Sequence, residues 1–106
     1  MIQGKTVTVY HAAEDGVIRR VLEDCVYQHR VVRQELPAGI WEERKCKLLI
    51  PGLDPIVPGD RVYDGIGPEM VDWETFLPAN VPGLSQVQYV TRYDATPLCH
   101  TEAGRK

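Results

Sequence analysis

Glycine and proline most strongly constrain what this chain can fold into. Nine Gly and eight Pro divide 106 residues into short segments. Residues 5–11 and 85–94 alternate between apolar and polar side chains most strictly, which is typical of strands with one buried face. The breaks at residues 12–16 and 37–39 contain residue types that favour turns. The pattern therefore predicts a mainly β fold made of short strands.

Two further segments, residues 42–50 and 61–63, are predicted strands. Residues 17–35 contain neither Gly nor Pro and fit a helix nearly as well as a strand. Their five valines are stiff at χ1 and suit a pleated surface better, so we favour one long bent strand or two strands in line. The helix stays open as the alternative.

The one predicted helix is short and covers residues 68–77, where three apolar side chains recur at helical spacing. Residues 95–106 carry little apolar surface and are predicted to form an extended C-terminal tail behind a β domain of residues 1–94. Five or six short strands with one helix predict a small antiparallel barrel or sandwich. We expect truncation after Asp94 to leave this domain folded and to abolish only assembly.

Composition excludes several classes of function. Apolar residues make up 43% and charged residues 25%, as in an ordinary single globular domain. The net charge of -3 disfavours a dedicated nucleic-acid binder. No apolar run is long enough to cross a bilayer, and the first residues lack the order of a signal peptide, so we expect a soluble cytoplasmic product without membrane contact.

The residues that could carry chemistry do not combine into a known site. Cys25, Cys46 and Cys99 are far apart, so they offer no close ligand pair for zinc and are predicted to be free thiols. Cys99 neighbours His100, yet adjacent residues of an extended segment point to opposite sides. Residues 65–67 resemble a truncated glycine-rich phosphate loop but are better explained as a turn. We therefore predict no catalytic residue, no metal and no cofactor.

Charge is distributed unevenly along the chain. Residues 17–47 carry seven basic and five acidic side chains, whereas residues 48–106 carry four basic and eight acidic ones. Such polarity suits head-to-tail packing in a ring, and a mixed solvated surface is the alternative. Trp73 and Phe76 either anchor an interface or, in the case of Trp73, plug one end of the barrel. The predicted interface residues are Arg19, Arg20, Arg30, Arg33, Trp73, Phe76, His100 and Arg105.

Three motifs follow one another in the order seen in a known family. Residues 25–27 stand where that family has a G-V-x-W segment after an opening hairpin, residues 58–65 match P-G-D-x-V-x-x-G, and residues 100–106 match H-x-x-x-G-(G)-K. Tyr27 replaces a frequent Trp, and Arg105 replaces a frequent Gly. The chain thus resembles small structural proteins of the head-tail joining or neck type, encoded by tailed bacteriophages and prophages.

The resemblance implies a non-enzymatic virion protein that forms a homo-oligomeric ring between portal-adaptor and tail proteins. It implies location in the virion, and in the host cytoplasm before assembly, and it leaves open whether DNA in the lumen passes close by. Within virions the alternatives are a tail terminator, a tail-completion protein or a capsid decoration protein. An alternative of another class is a small β-barrel adaptor that binds nucleic acid or peptide.

Overall fold

The computed structural model describes residues 4–94 and 99–105. Within these residues, seven strands form one antiparallel sheet, which confirms the mainly β prediction. The strands are β1 (Lys5–Ala13), β2 (Gly16–Leu36), β3 (Gly39–Pro51), β4 (Arg61–Asp64), β5 (Leu84–Gln86), β6 (Tyr89–Tyr93) and β7 (His100–Arg105). Their order across the sheet is β5-β4-β1-β2-β3-β7-β6. Strands β5 and β6 are its two edges, so the sheet is strongly bent but is not a closed barrel.

Strand β2 settles the open question about residues 17–35 in favour of a strand. Its first half pairs with β1 as far as Cys25, and its second half pairs with β3 from Val26 onward. The exchange of partners coincides with a bulge, where Asp24 takes a positive φ of 58°. A bulge of this kind bends a strand and increases its twist. Two halves of the sheet can therefore face each other.

The predicted strand over residues 85–94 is interrupted. It divides into β5 and β6, because the backbone at residues 87–88 turns from one half of the sheet to the other. The N–H of Val87 donates to the carbonyl of Asp60 (2.8 Å), and the N–H of Gln88 donates to the carbonyl of Gly104 (2.7 Å). This crossing brings the two edges of the sheet close together without joining them in a barrel.

The predicted short helix over residues 68–77 is wrong. The segment forms single turns, with Phe76 N–H donating to the Asp72 carbonyl at 2.9 Å. The carbonyls of Trp73 and Phe76, which would continue a helix, instead accept hydrogen bonds from Arg61 Nη1 at 2.6 and 2.7 Å. Pro78 has no N–H to extend the turn. A buried guanidinium therefore takes the place of helical hydrogen bonds.

The predicted extended C-terminal tail is corrected over residues 100–105. These residues form β7, which lies between β3 and β6 and pairs with both. Thr101 and Ala103 are fully buried. The segment has few apolar side chains, but backbone pairing on both sides and small residues at a crowded position compensate for them. Residues 95–98 and 106 of the predicted tail lie outside the described residues.

The core lies between the two halves of the bent sheet. Its main cluster joins side chains from β1, β2, β3, β4 and β7, and a smaller cluster of Tyr10, Phe76 and Leu84 lies beneath the loop of residues 65–83. That loop covers the second face of β1. Thr8 Oγ1 donates to the Gly65 carbonyl at 2.8 Å, and the Tyr10 hydroxyl donates to the Pro68 carbonyl at 2.7 Å. Both faces of β1 are consequently buried.

The β2–β3 hairpin extends well beyond this body. Strand β1 leaves β2 at Cys25, and β7 meets β3 only from Cys46. Residues 30–45 are therefore paired only with each other, and we call them the arm. The radius of gyration of 14.7 Å exceeds the about 13 Å expected for a compact domain of this length, and the longest dimension is 51 Å.

Truncation after Asp94 is expected to unfold the domain rather than to remove a tail. The change exposes the inner edge of β3 and deletes two buried side chains of β7. A domain has only about 5–15 kcal/mol of stability to lose, so cooperative thermal unfolding monitored by circular dichroism should disappear. A chain ending at Arg105 is the matched control and should melt like the full chain. A truncated chain with an unchanged melting temperature would contradict the assignment of β7.

Candidate functional site

Two of the predicted interface arginines hold the chain together internally. Arg20 binds the carboxylate of Asp54 with two hydrogen bonds of 2.9 and 2.8 Å. Arg19 Nη2 donates to the carbonyl of Gly67 at 2.7 Å and so fastens the loop that covers β1. These contacts engage both guanidinium groups within one chain, although the buried Nε of Arg19 has no hydrogen-bond partner among the described residues.

The two predicted aromatic anchors also pack internally. Phe76 is only 6% exposed, and its ring meets the ring of Tyr10 edge to face at 4.7 Å. The guanidinium of Arg61 stacks 3.7 Å from the ring centre of half-buried Trp73. Phe76 is therefore a core residue, and Trp73 packs against the smaller core cluster, in line with the alternative of an internal plug.

The other four predicted interface residues lie at the surface. Arg30 and Arg33 are exposed on the arm, and Arg105 is exposed at the end of β7. Half-buried His100 stacks on Tyr93 with ring centres 4.6 Å apart. Arg33 lies on β2 and Arg105 on β7, and β3 runs between these two strands.

The sequence analysis missed the apolar side chains of the arm. Their exposed fractions are 45% for Val31, 50% for Leu36, 60% for Ile40 and 45% for Trp41. The sequence contained a signal for this surface. Ile40 and Trp41 are large apolar residues that follow the turn at residues 37–38 directly, and at the tip of a hairpin no other segment is close enough to bury them. Clustered exposed apolar side chains mark interaction surfaces more often than isolated ones do.

The pairing register divides the arm into two faces. Opposite residues of an antiparallel pair share a face, and Tyr27 and Leu48 show which face continues the core. This inner face carries Val31, Arg33, Glu35, Ile40, Glu42 and Arg44. The outer face carries Arg30, Val32, Gln34, Leu36, Trp41, Glu43 and Lys45. Each face therefore combines apolar with charged side chains.

An open groove lies where the inner face meets the body. It has a volume of about 550 Å³ and is lined by Glu42, Arg44, Leu77, Pro78, Gln86 and Arg105, together with Ala79. Arg44 holds the arm against the body, since its Nη1 donates to the Pro78 carbonyl at 3.0 Å and its Nη2 lies 2.6 Å from Glu42. We call this feature the arm groove.

Asp54 organises the opposite side of the body. Its backbone N–H donates to Thr101 Oγ1 at 2.9 Å, and its carbonyl accepts from Arg92 Nε at 2.9 Å. Burial alone would raise the pKa of the Asp54 carboxyl, but hydrogen bonds from Arg20 and from the N–H of Ile56 outweigh it and lower that pKa below its ordinary value. Asp54 therefore remains ionised and joins β2, β6 and β7.

A histidine-carboxylate pair lies beside this network. His11 Nδ1 and Asp60 Oδ1 are 2.6 Å apart in a shallow pocket lined by Ile18, Arg20 and Pro55. The other Asp60 oxygen accepts from the N–H of Val57 at 3.1 Å and closes the turn before β4. None of the described residues lining this pocket carries a hydroxyl or thiol.

The two buried cysteines, Cys25 and Cys46, keep their thiol form. Burial raises the pKa of Cys25 to about 11 and also raises the pKa of Cys46. All three cysteines are free. Among residues 4–94 and 99–105, no three His, Cys, Asp or Glu side chains are close enough together to hold a metal ion.

Comparison with protein-family models, curated proteins and solved structures found no match. In the described part of the chain, no helix is long and apolar enough to cross a membrane. The features of this chain that bear on its function are therefore those of its own geometry, above all its arm.

Replacement of Arg20 by methionine is expected to destabilise the protein by about 2 kcal/mol, less than for a fully buried pair because the Arg20 side chain is 28% exposed. A carboxyl group whose pKa is lower in the folded state than in the unfolded state stabilises the fold at pH values above its unfolded-state pKa. This stabilisation is lost as the pH falls through the folded-state pKa. The difference in unfolding free energy between the normal chain and the Arg20→Met variant should thus have its full size at pH 7 and become smaller below about pH 4.

Urea unfolding of the Arg20→Met chain between pH 3 and pH 7 measures this deficit. The matched control is Arg33→Met, which removes an exposed guanidinium and should change stability by less than about 0.5 kcal/mol. Equal effects of the two substitutions would show that Asp54 does not depend on Arg20.

Proposed function

We propose that this chain is a structural subunit of a tailed phage or phage-like particle, and that it forms a ring as a head-tail connector of the neck or stopper type. The observation that carries the proposal is the arm. Its two strands lack outer neighbours, and both of its faces expose apolar side chains to solvent. Such a hairpin gains little stability within one chain, so its length is best explained by contacts with neighbouring subunits.

The distribution of structure within the chain supports a role in assembly. The body is held by the partly buried ion pair of Arg20 with Asp54 and by backbone pairing on both sides of β7, whereas the arm is held mainly by its own hairpin and by Arg44. A stiff body with one projecting element suits a closed ring, because every copy then offers the same two surfaces to its neighbours. The motifs at residues 25–27, 58–65 and 100–106 support placement among phage neck proteins.

The partners in this proposal are other copies of the chain together with portal-adaptor and tail proteins. Its location is the virion, and the host cytoplasm before assembly. A tail terminator, tail-completion protein or decoration protein would use the same kind of arm with different neighbours. Exposed Arg30 on the outer face is available to a neighbouring virion protein or to DNA in the lumen.

The unpaired edges of the arm favour one function from another class. An extended peptide could add to either edge as a further strand, as in adaptors that bind peptides by β-augmentation. Such an adaptor would work as a monomer and would be absent from particles, so the same experiment separates the two functions.

A chain with a shortened arm should stay folded and fail to join particles. Val31 and Arg44 are opposite each other in register, so an Asn-Gly turn can replace residues 32–43. We expect mass spectrometry of particles purified from the source strain to find the normal chain at a fixed number of copies per particle. The shortened chain, supplied in its place, should be missing.

The control for this experiment changes the other hairpin turn. Glu14→Ala with Asp15→Ala alters two exposed residues at the β1–β2 turn and should leave incorporation normal. Absence of the normal chain from particles would overturn the virion assignment. Normal incorporation of the shortened chain would show that the arm is not the element used in assembly.

A further inference from the structure

The arm groove has an excess of positive charge that the chain itself does not neutralise. Arg44 is paired with Glu42 at 2.6 Å, which leaves Arg105 as the groove charge without an ion pair. Arg33 does not line the groove but lies next to it on the inner face of the arm, opposite Glu42. Within the described residues, neither Arg33 nor Arg105 forms an ion pair. The floor of the groove beside Arg105 is apolar, with Leu77 and Pro78.

A second surface has the opposite character. Residues 66–74 contain Glu69, Asp72 and Glu74 and no basic residue, and all three carboxylates are exposed. They form no ion pair with any described residue. Met70 is 90% exposed among them, the highest exposed fraction of any large apolar side chain in residues 4–94 and 99–105. We call residues 66–74 the acidic loop.

The acidic loop is firmly supported from below although its tip is exposed. The carbonyls of Gly67 and Pro68 bind Arg19 and Tyr10, and the carbonyl of Trp73 binds Arg61. The loop is therefore held in shape before any partner arrives, so little conformational entropy is lost when it binds. A flexible thioether at its tip adapts well to an apolar floor.

We propose that the arm groove of one copy receives the acidic loop of a second copy, with Met70 on the apolar floor and Glu69 and Glu74 beside Arg33 and Arg105. The proposal rests on the proposed function, because it specifies how ring neighbours would meet. Charge complementarity selects this occupant. Among the described residues, the groove and the adjoining inner face of the arm have guanidinium groups without ion pairs, on Arg105 and Arg33, and the acidic loop has carboxylates without ion pairs around an exposed apolar side chain.

The two surfaces are different, so the contact is heterologous. Every copy can use its groove for one neighbour and its loop for the other, which generates a ring when the rotation closes. Arg30 lies on the outer face, away from the groove, and takes no part in this contact. It stays available for partners outside the ring.

Charge reversal tests the contact on the full-length protein. The groove variant Arg33→Glu/Arg105→Glu has two negative surfaces, and the loop variant Glu69→Lys/Glu74→Lys has two positive ones. We expect sedimentation velocity to show at least tenfold weaker self-association for each variant alone. An equimolar mixture should associate again, and so should one chain carrying all four substitutions, because every contact is then complementary.

The control is Arg30→Glu, the same change three residues from Arg33 on the opposite face, which should associate like the normal chain. All substituted residues are exposed, and circular dichroism confirms that each variant is folded. The proposal is overturned if groove and loop variants associate normally, if Arg30→Glu weakens association equally, or if neither the mixture nor the quadruple variant recovers.

A normal chain that stays monomeric at millimolar concentration also overturns the proposal, since no second copy then fills the groove. The proposed function fails separately, through absence of the chain from particles. A monomeric chain that is nevertheless present in particles would retain the virion role and would assign the groove to another virion protein.

Discussion

The exchange of partners along β2 determines the rest of the architecture. One strand of 21 residues is too long for any single neighbour, so β1 covers its first part and β3 its second. The bulge at Asp24 lies where this exchange takes place, and Asp is one of the few residues other than Gly that tolerate a positive φ. The bend creates the core between two half-sheets. The remaining length of β2 has no third strand to cover it and becomes the arm.

Arg20 and Asp54 fix the body from which the arm projects. The carboxylate of Asp54 binds Arg20 on β2, and the backbone of Asp54 is held by Arg92 on β6 and Thr101 on β7, so this one residue ties the middle of β2 to the last two strands. Because the carboxylate is nearly buried, its charge is tolerable only with its own donors in place, the guanidinium of Arg20 and the N–H of Ile56. The same loop ends at the turn closed by Asp60, which leads into β4. Loops dense in Gly and Pro thus become rigid through a few charged side chains.

Much of the strand content could be predicted from alternation and turn residues, as for β1, β3 and β4. The errors arose where tertiary contacts override local pattern. Helical spacing at residues 68–77 ignores that Arg61 takes the carbonyls a helix needs. The weak apolar content of β7 suggests a tail, yet Gly104 is needed there because a Cβ would collide with the carbonyl of Cys46. Such close approach depends on a strand more than 50 positions away and leaves no local signal.

The candidate site, like the fold, could be predicted from the sequence only in part. The uneven distribution of charge along the chain was visible in the sequence, but the sequence did not show which arginines are free to bind a partner. Arg19 and Arg20 bind a loop carbonyl and a carboxylate of the same chain, whereas Arg33 and Arg105 form no ion pair with any described residue. The apolar arm was missed because strand pairing beyond β1 depends on strand lengths that a sequence leaves imprecise.

Exposed strand edges can pair with further chains in an uncontrolled way, and charged residues of the arm oppose such association. Both strands of the arm carry charged as well as apolar residues. Lys45 and Arg30 lie opposite each other on the outer face, where like charges oppose stacking of two arms face to face. The inner face is shielded on one side by the body through Arg44 and Pro78. Association through the groove is then the contact least opposed by charge. A heterologous contact of this kind is limited by ring closure, whereas edge-to-edge pairing of arms would continue without limit.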